Sequence, residues 1–322
     1  MVLCYHGVSV TNEHEWGSLY VSQDHLRARL RRLNELKCNI LPLGEALERQ
    51  RAGDLPPRAV AITFDDGAAD FRTRAYPVLQ EFSAPAMLYQ TTWYVDRDMP
   101  VFNTAASYVL WHAVGKEVML PWRGTMHRIP PVGEDGAFTS LHASLLEYVA
   151  RKQLDTDAQS ALLAEIAQAC NVSLDEVFAE RQLYLMTSEQ LRELDPNLVD
   201  VQLHTHRHRT PRDKALFLRE LNDNAAALEQ ILQRPLSLKH FCYPSGVYFP
   251  EFADWMREYG MLSSTTCDPD ITSAHTDRMF VPRLIDTMTT PDAVFDGWVT
   301  GAAAFVPRRR YCLLYTSDAA DE

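Results

Sequence analysis

The sequence predicts an α/β protein, a parallel sheet under helices interrupted by a mostly helical insertion. Three observations carry that expectation. Ala59-Val60-Ala61-Ile62-Thr63-Phe64 is a β-rich apolar run without strict alternation, as a strand buried on both faces requires. A helical pattern over 70–82 and a second apolar run over 86–91 follow it, giving a strand–helix–strand unit. The same rhythm resumes after residue 181, whereas 100–181 lacks strand alternation.

In chain order, Val2–Tyr5 reads as a short strand closed by Gly7. Ser22 opens a helix on which Leu26, Leu30, Leu33 and Leu36 recur at helical spacing. A short helix over 44–50 ends before Pro56-Pro57. Inside the insertion, 139–153, 158–169 and 173–180 read as helices, and 126–129 is the single strand-like piece. Beyond it, helices are expected over 188–194, 213–232, 250–259 and 291–299. Strands are expected over 199–203, 238–243, 261–266 and 280–285. Residues 1–300 thus form one domain with 100–181 inserted. The tail, 301–322, carries a basic cluster at Arg308-Arg309-Arg310. Its last stretch, Tyr311 to Glu322, looks like translated sequencing-adapter read-through or a frayed end, and receives no function.

Composition narrows the function classes. Thirty-one Lys and Arg against 43 Asp and Glu leave a net charge of −12, the wrong sign for a general nucleic-acid binder. No window approaches the roughly 18 apolar residues of a membrane span. The N-terminus lacks a basic region and a long apolar core, so the chain as written is expected in the cytoplasm; a truncated start would change that. The six cysteines show no C-x-x-C spacing and are expected as buried free thiols. The oligomeric state is not legible.

Two clusters carry chemistry. Asp65-Asp66-Gly67 ends the buried 59–64 strand, where parallel α/β folds place their sites. Paired acids there can divide labour between metal binding and proton transfer; the plainer alternative is an Asp-Gly turn. His204-Thr205-His206-Arg207-His208 follows the 199–203 strand. The i,i+4 spacing of His204 and His208 brings both imidazoles to one side of a tight turn, with His206 pointing elsewhere. One carboxylate and two imidazoles form a three-ligand site for a divalent cation that leaves positions for water and substrate.

These two motifs, Thr63-Phe64-Asp65-Asp66-Gly67 and His204-Thr205-x-x-His208, resemble the first two motifs of the polysaccharide deacetylases, carbohydrate esterase family 4 with the NodB homology domain. The resemblance spans roughly residues 2–299, with 100–181 outside the family core. It implies a deformed (β/α) barrel of fewer than eight strands. It also implies one divalent transition metal, zinc first and cobalt or nickel as alternatives, held by Asp66, His204 and His208, with Asp65 as general base. The family's third motif reads Arg-x-Pro-Tyr after a Phe. Here Phe241-Cys242-Tyr243-Pro244-Ser245-Gly246 puts Cys242 in place of the Arg and Ser245 in place of the Tyr. Tyr243, Pro244 and Ser245 are then expected on the groove wall, with the Ser245 N–H facing the oxyanion. Arg283 is a candidate replacement for the missing Arg; a surface or salt-bridging role is the alternative.

The family's Leu-x-x-His motif is absent near the C-terminus, but Leu3-Cys4-Tyr5-His6 stands at the front. This resembles the circularly permuted poly-N-acetylglucosamine deacetylase type and makes His6 the expected general acid, with His275 as backup. The resemblance implies a carbohydrate substrate and the release of acetate from an N-acetylated sugar. Trp93, Tyr94, Trp111 and Trp122 are candidates for lining a sugar groove. Two other readings stand beside it: a metal-dependent amidase on a non-sugar amide, and an inactive carbohydrate-binding relative.

Overall fold

One curled sheet of parallel strands organises the molecule. Its order is Ser263–Thr265, His240–Cys242, Val199–Leu203, Ala86–Gln90, Ala59–Phe64, Val2–Tyr5, Leu284–Ile285, with the short Asn39–Ile40 strand also paired to Ala59–Phe64. A parallel bridge between Thr265 and Val281 ties one edge strand back to the chain that enters the other. The architecture is therefore a deformed α/β barrel. The computed structural model describes residues 1–133, 136–179 and 181–305. Of the expected tail, Ala302–Phe305 forms a 3-10 turn; residues 306–322 lie outside the described ones. No described helix is long and apolar enough to cross a membrane.

The central strands are mostly apolar because both faces are covered; Asp200 is exposed, and the edge strand Ser263–Thr265 buries hydroxyls. Leu3, Tyr5, Val60, Ile62, Phe64, Leu88, Val201 and Leu203 face the helices in the main core. Val2, Ala61, Met87, Tyr89 and Cys242 face inward, where Leu43 and Leu47 of the Leu43–Ala52 helix join them. Packing outweighs local signals in holding the helices. The Gln23–Glu35 helix has a Ser22 cap on the His25 N–H, worth about 1 kcal/mol. Its buried Leu26, Leu30 and Leu33 each contribute about 1.5–3 kcal/mol.

Two elements depart from the expected pattern. The helix over 70–82 begins with a π turn, Phe71–Ala75, before regular Tyr76–Phe82. Pro77 has no N–H to give the carbonyl four residues back, and the widened turn absorbs that loss. The expected 280–285 strand is broken into a 3-10 turn at Arg278–Phe280, the Val281 bridge and Leu284–Ile285. Pro282 cannot donate to a ladder there.

The insertion has its own core, with Ala106, Val109, Leu110, Leu145, Leu163 and Ile166 at its centre. It contains a helix that the sequence did not announce and a hairpin of which the second strand, expected over 126–129, is present and the first was missed. Phe102–His112 is a helix whose buried Phe102, Ala105, Ala106, Val109 and Leu110 do follow a helical period. Glu117–Leu120 and Thr125–Arg128 pair as an antiparallel hairpin. The first of these strands alternates exposed and buried residues, but over four residues the period is too short to stand out. Trp16, from the loop after the first strand, packs into this core and ties the insertion to the barrel.

Candidate active site

The strand register gathers the site. Cys4 and Tyr5 pair with Thr63 and Phe64, so the next residues, His6 and Asp65, leave neighbouring strands at one level. Phe241 pairs with Leu203, which sets His204 beside Cys242 in the same way. At the first motif the chain turns sharply: Asp66 has φ 69° and Gly67 φ 82°. A Cβ on Gly67 would lie 1.8 Å from the Gln90 side chain, so only glycine fits. The turn aims both carboxylates at the mouth of the barrel. The Asp-Gly turn and the paired-acid site are thus the same feature.

Asp66 Oδ1 lies 3.1 Å from His204 Nε2 and 3.1 Å from His208 Nε2. Thr205 and His208 both have positive φ, 59° and 56°, and this loop folds the i,i+4 imidazoles together, 5.0 Å between ring centroids. His204 Nδ1 is paired with the Cys242 carbonyl at 2.9 Å. That contact assigns its proton to Nδ1 and leaves Nε2 as the ligand atom. His206 turns away onto the Thr92 hydroxyl, 2.8 Å. The three ligand atoms lie within 4.8 Å of one another. One carboxylate, two imidazoles and a half-exposed mouth fit a divalent transition metal with open positions. Burial opposes the Asp66 charge, but His208 and His204 hold the carboxyl well below the usual range.

Asp65 is built differently. It is 2% exposed and grips Arg283 through two bonds, Nη1–Oδ1 at 2.7 Å and Nη2–Oδ2 at 2.6 Å. Arg283 is fully buried and also donates to the Thr266 carbonyl and the Thr63 hydroxyl. The structure thus brings Arg283 onto Asp65, not to the surface. Burial by itself would raise the Asp65 carboxyl; the Arg283 charge and its hydrogen bonds outweigh burial and hold it well below the ordinary range. Cys242 is what makes room: its Sγ lies 3.0 Å from Arg283 Nη2 and 3.4 Å from Asp65 Oδ2. His6 Nε2 lies 3.7 Å from Asp65 Oδ2. Burial pushes His6 below the usual imidazole value, and Asp65 and Asp66 pull against that.

The third-motif segment divides. Ser245 stands exposed at the crest of a turn with φ 54°, closed by Gly246 N–H to Tyr243 O and Val247 N–H to Pro244 O. Pro244 is buried beneath it. Tyr243, expected on the groove wall, is instead fully buried in the main core against Phe241 and Phe280. Strand alternation explains the correction: Cys242 points into the barrel, so Tyr243 points out. His275 is exposed in the 272–276 loop, outside the cluster. Trp111 and Trp122 pack in the insertion core and leave the groove, while Trp93 lies between Arg97 and Arg207. The described cysteines are free: Cys4, Cys170 and Cys242 are buried, and Cys38 and Cys267 partly exposed.

Sequence reading missed the supports of the second motif. On the Lys214–Leu232 helix, Glu220 and Asn224 are buried one turn apart. Asn224 accepts from the His204 N–H at 3.0 Å and donates to the Gln90 carbonyl at 3.0 Å. Glu220 accepts from the Arg207 N–H and both neighbouring guanidinium groups. The available signal was polar residues on the apolar face marked by Phe217, Leu221 and Leu228. Asp70, 7% exposed, was also missed; it accepts from the Val8 N–H at 3.0 Å and pins the loop after His6 to the first motif.

The curled parallel sheet is the fold of the NodB-type deacetylases, and residues 52–119 match the family model for polysaccharide deacetylase. Among solved structures, the chain resembles the deacetylase PplD of Streptococcus pyogenes, with a TM-score of 0.60 and 16% identity over 92% of this chain and 96% of that one. It also resembles IcaB of Ammonifex degensii, with a TM-score of 0.53 and 19% identity over 93% and 96%. Among curated proteins, the poly-beta-1,6-N-acetyl-D-glucosamine N-deacetylase of Escherichia coli K12 is 38% identical over 72 residues, 22% of this chain and 11% of that relative's length. The family-model match holds Asp65 and Asp66 but not His6, His204, His208, Ser245 or Arg283.

Proposed function

We propose that this chain is a metal-dependent hydrolase that removes N-acetyl groups from an N-acetylglucosamine-type polysaccharide and releases acetate. The observation that carries it is the pairing of two unlike carboxylates at one mouth: Asp66 between two imidazoles, and Asp65 locked by Arg283 beside His6. Asp66, His204 and His208 would hold a divalent cation, which would supply Lewis acidity toward a water and the acetyl carbonyl. Asp65 has an ordered, ionised oxygen next to that position and accepts the proton of the attacking water. Its Arg283 clamp fixes its orientation. The Ser245 N–H, presented by the exposed turn, donates to the developing oxyanion. His6, on the other side of Asp65, delivers a proton to the sugar nitrogen as the C–N bond breaks. The products are acetate and a free amine. The likeness of part of the chain to the E. coli poly-beta-1,6-N-acetyl-D-glucosamine N-deacetylase supports the choice of polymer.

The test is metal content of the purified protein beside an Asp66→Ala, His204→Ala variant, followed by acetate release from N-acetylglucosamine oligomers. About one equivalent in the parent, lost in the variant together with acetate release, is the expected result. Metal without acetate release would favour the non-sugar amidase. No metal after soaking with zinc, cobalt or nickel would favour the inactive binding relative.

A further inference from the structure

A second group of metal-ligating atoms lies behind the first. Cys4 Sγ is 3.6 Å from Asp65 Oδ2, His6 Nε2 is 3.7 Å from the same oxygen, and Cys4 Sγ is 3.9 Å from His6 Nδ1. One ligand atom from each of the three lies within 4.8 Å of the others. Around a tetrahedral zinc-sized ion, bond lengths of about 2.3 Å to sulfur and about 2.0 Å to nitrogen and oxygen put sulfur and oxygen about 3.6 Å apart, and nitrogen and oxygen about 3.3 Å apart. The sulfur–oxygen edge is met as it stands; the sulfur faces Nδ1 and the oxygen faces Nε2, so the imidazole must turn to bring one nitrogen to both. Arg283 takes one lone pair on each Asp65 oxygen, and the remaining one on Oδ2 is shared by the Cys242 and Cys4 thiols, so the Cys242 S–H must turn away as the ion binds.

We infer that Cys4, His6 and Asp65 form a second, inhibitory site for a thiophilic divalent cation such as zinc, cobalt or cadmium. Binding breaks the Cys4 S–H bond: the proton goes to solvent, the sulfur pair forms the metal bond, and nothing is oxidised or reduced. Thiolate and carboxylate bring two negative charges against the cation and Arg283. The Arg283 charge makes this site weaker than the one at Asp66, so it fills second. Cys242 also lies near Asp65 and His204, but Arg283 Nη2 points at its sulfur from 3.0 Å. Cys4 is therefore the sulfur ligand. His6, 15% exposed, is the side from which the ion enters. Occupancy engages both Asp65 and His6 and stops turnover; that consequence rests on the roles proposed for them above, whereas the binding itself does not.

Cobalt(II) titration of the full chain separates the two sites. The first equivalent is expected to bind without a sulfur-to-cobalt charge-transfer band, and the second to bring one in with release of a thiol proton. Cys4→Ser is expected to lose the band and weaken the second equivalent at least 100-fold. Cys242→Ser is expected to keep the band, and Asp66→Ala to lose the first equivalent alone. A cadmium-113 spectrum of the parent needs no variant: the second resonance should sit at the downfield shift of a sulfur ligand. Absence of any sulfur signal under excess metal, or its survival in a folded Cys4→Ser protein, overturns the inference. A parent protein that shows the sulfur band with no sulfur-free equivalent before it counts against the proposed catalytic site alone.

Discussion

Asp65 and Asp66 are adjacent in sequence and opposite in surroundings. Asp66 sits at the half-open mouth, between two imidazoles from one five-residue loop. Asp65 is sealed behind it among groups from three separate segments: His6 and Cys4, Cys242, and Arg283. The difference teaches how a barrel mouth makes two functions from one dipeptide. The outward acid is left with ligands that can share a cation. The inward acid is given a permanent cation of its own, so it stays charged and oriented without competing for the metal.

The largest effect expected from breaking that contrast is on the inward side. Asp65→Asn keeps shape and metal but removes the base, and acetate release should fall by about 10²–10⁴. Unchanged turnover with metal content intact would remove Asp65 from the reaction. Arg283→Met leaves a buried carboxylate without its partner, which costs about 3–5 kcal/mol. Urea unfolding measures it, and a variant as stable as the parent would show that Asp65 does not depend on the pair. On the outward side, Asn224→Ala should loosen His204 and weaken metal binding about 10–100-fold, read by calorimetric titration; an unaltered affinity would mean the loop holds its shape without that helix.

The smallest effect sharpens the comparison with a third acid of the same loop. Asp70 is buried like Asp65, but among the described residues its hydrogen bond comes from a backbone N–H and not from a cation. Burial raises its carboxyl to about 8, and the Val8 bond offsets this in part. The folded protein therefore keeps a proton that the unfolded chain releases near pH 4. Stability drains away as pH rises from about 4 to about 8 and is level beyond. Asp70→Asn does not titrate, so its advantage in Tm should be near zero at pH 4 and about a few degrees at pH 8. An offset that is the same at both pH values would show that Asp70 is ionised in the fold.

Sequence alone determined what is local. The 59–64 strand, the acid pair at its end, the 199–203 strand and the His204–His208 spacing are short-range patterns, and the structure places them at one mouth. A strand buried on both faces must be apolar, and a loop that folds two imidazoles together needs only five residues to say so. Tertiary structure decided what depends on distant chain. Arg283 reaches Asp65 because Val2–Tyr5 lies between the 59–64 strand and the last strand, and no local pattern states that neighbourhood. Whether Tyr243 faced groove or core depended on the one-residue phase of a three-residue strand. The thiols of Cys4 and Cys242, 238 positions apart in sequence, meet at Asp65 Oδ2 because barrel strands are parallel and in register. Their chemistry exists only once the sheet has curled.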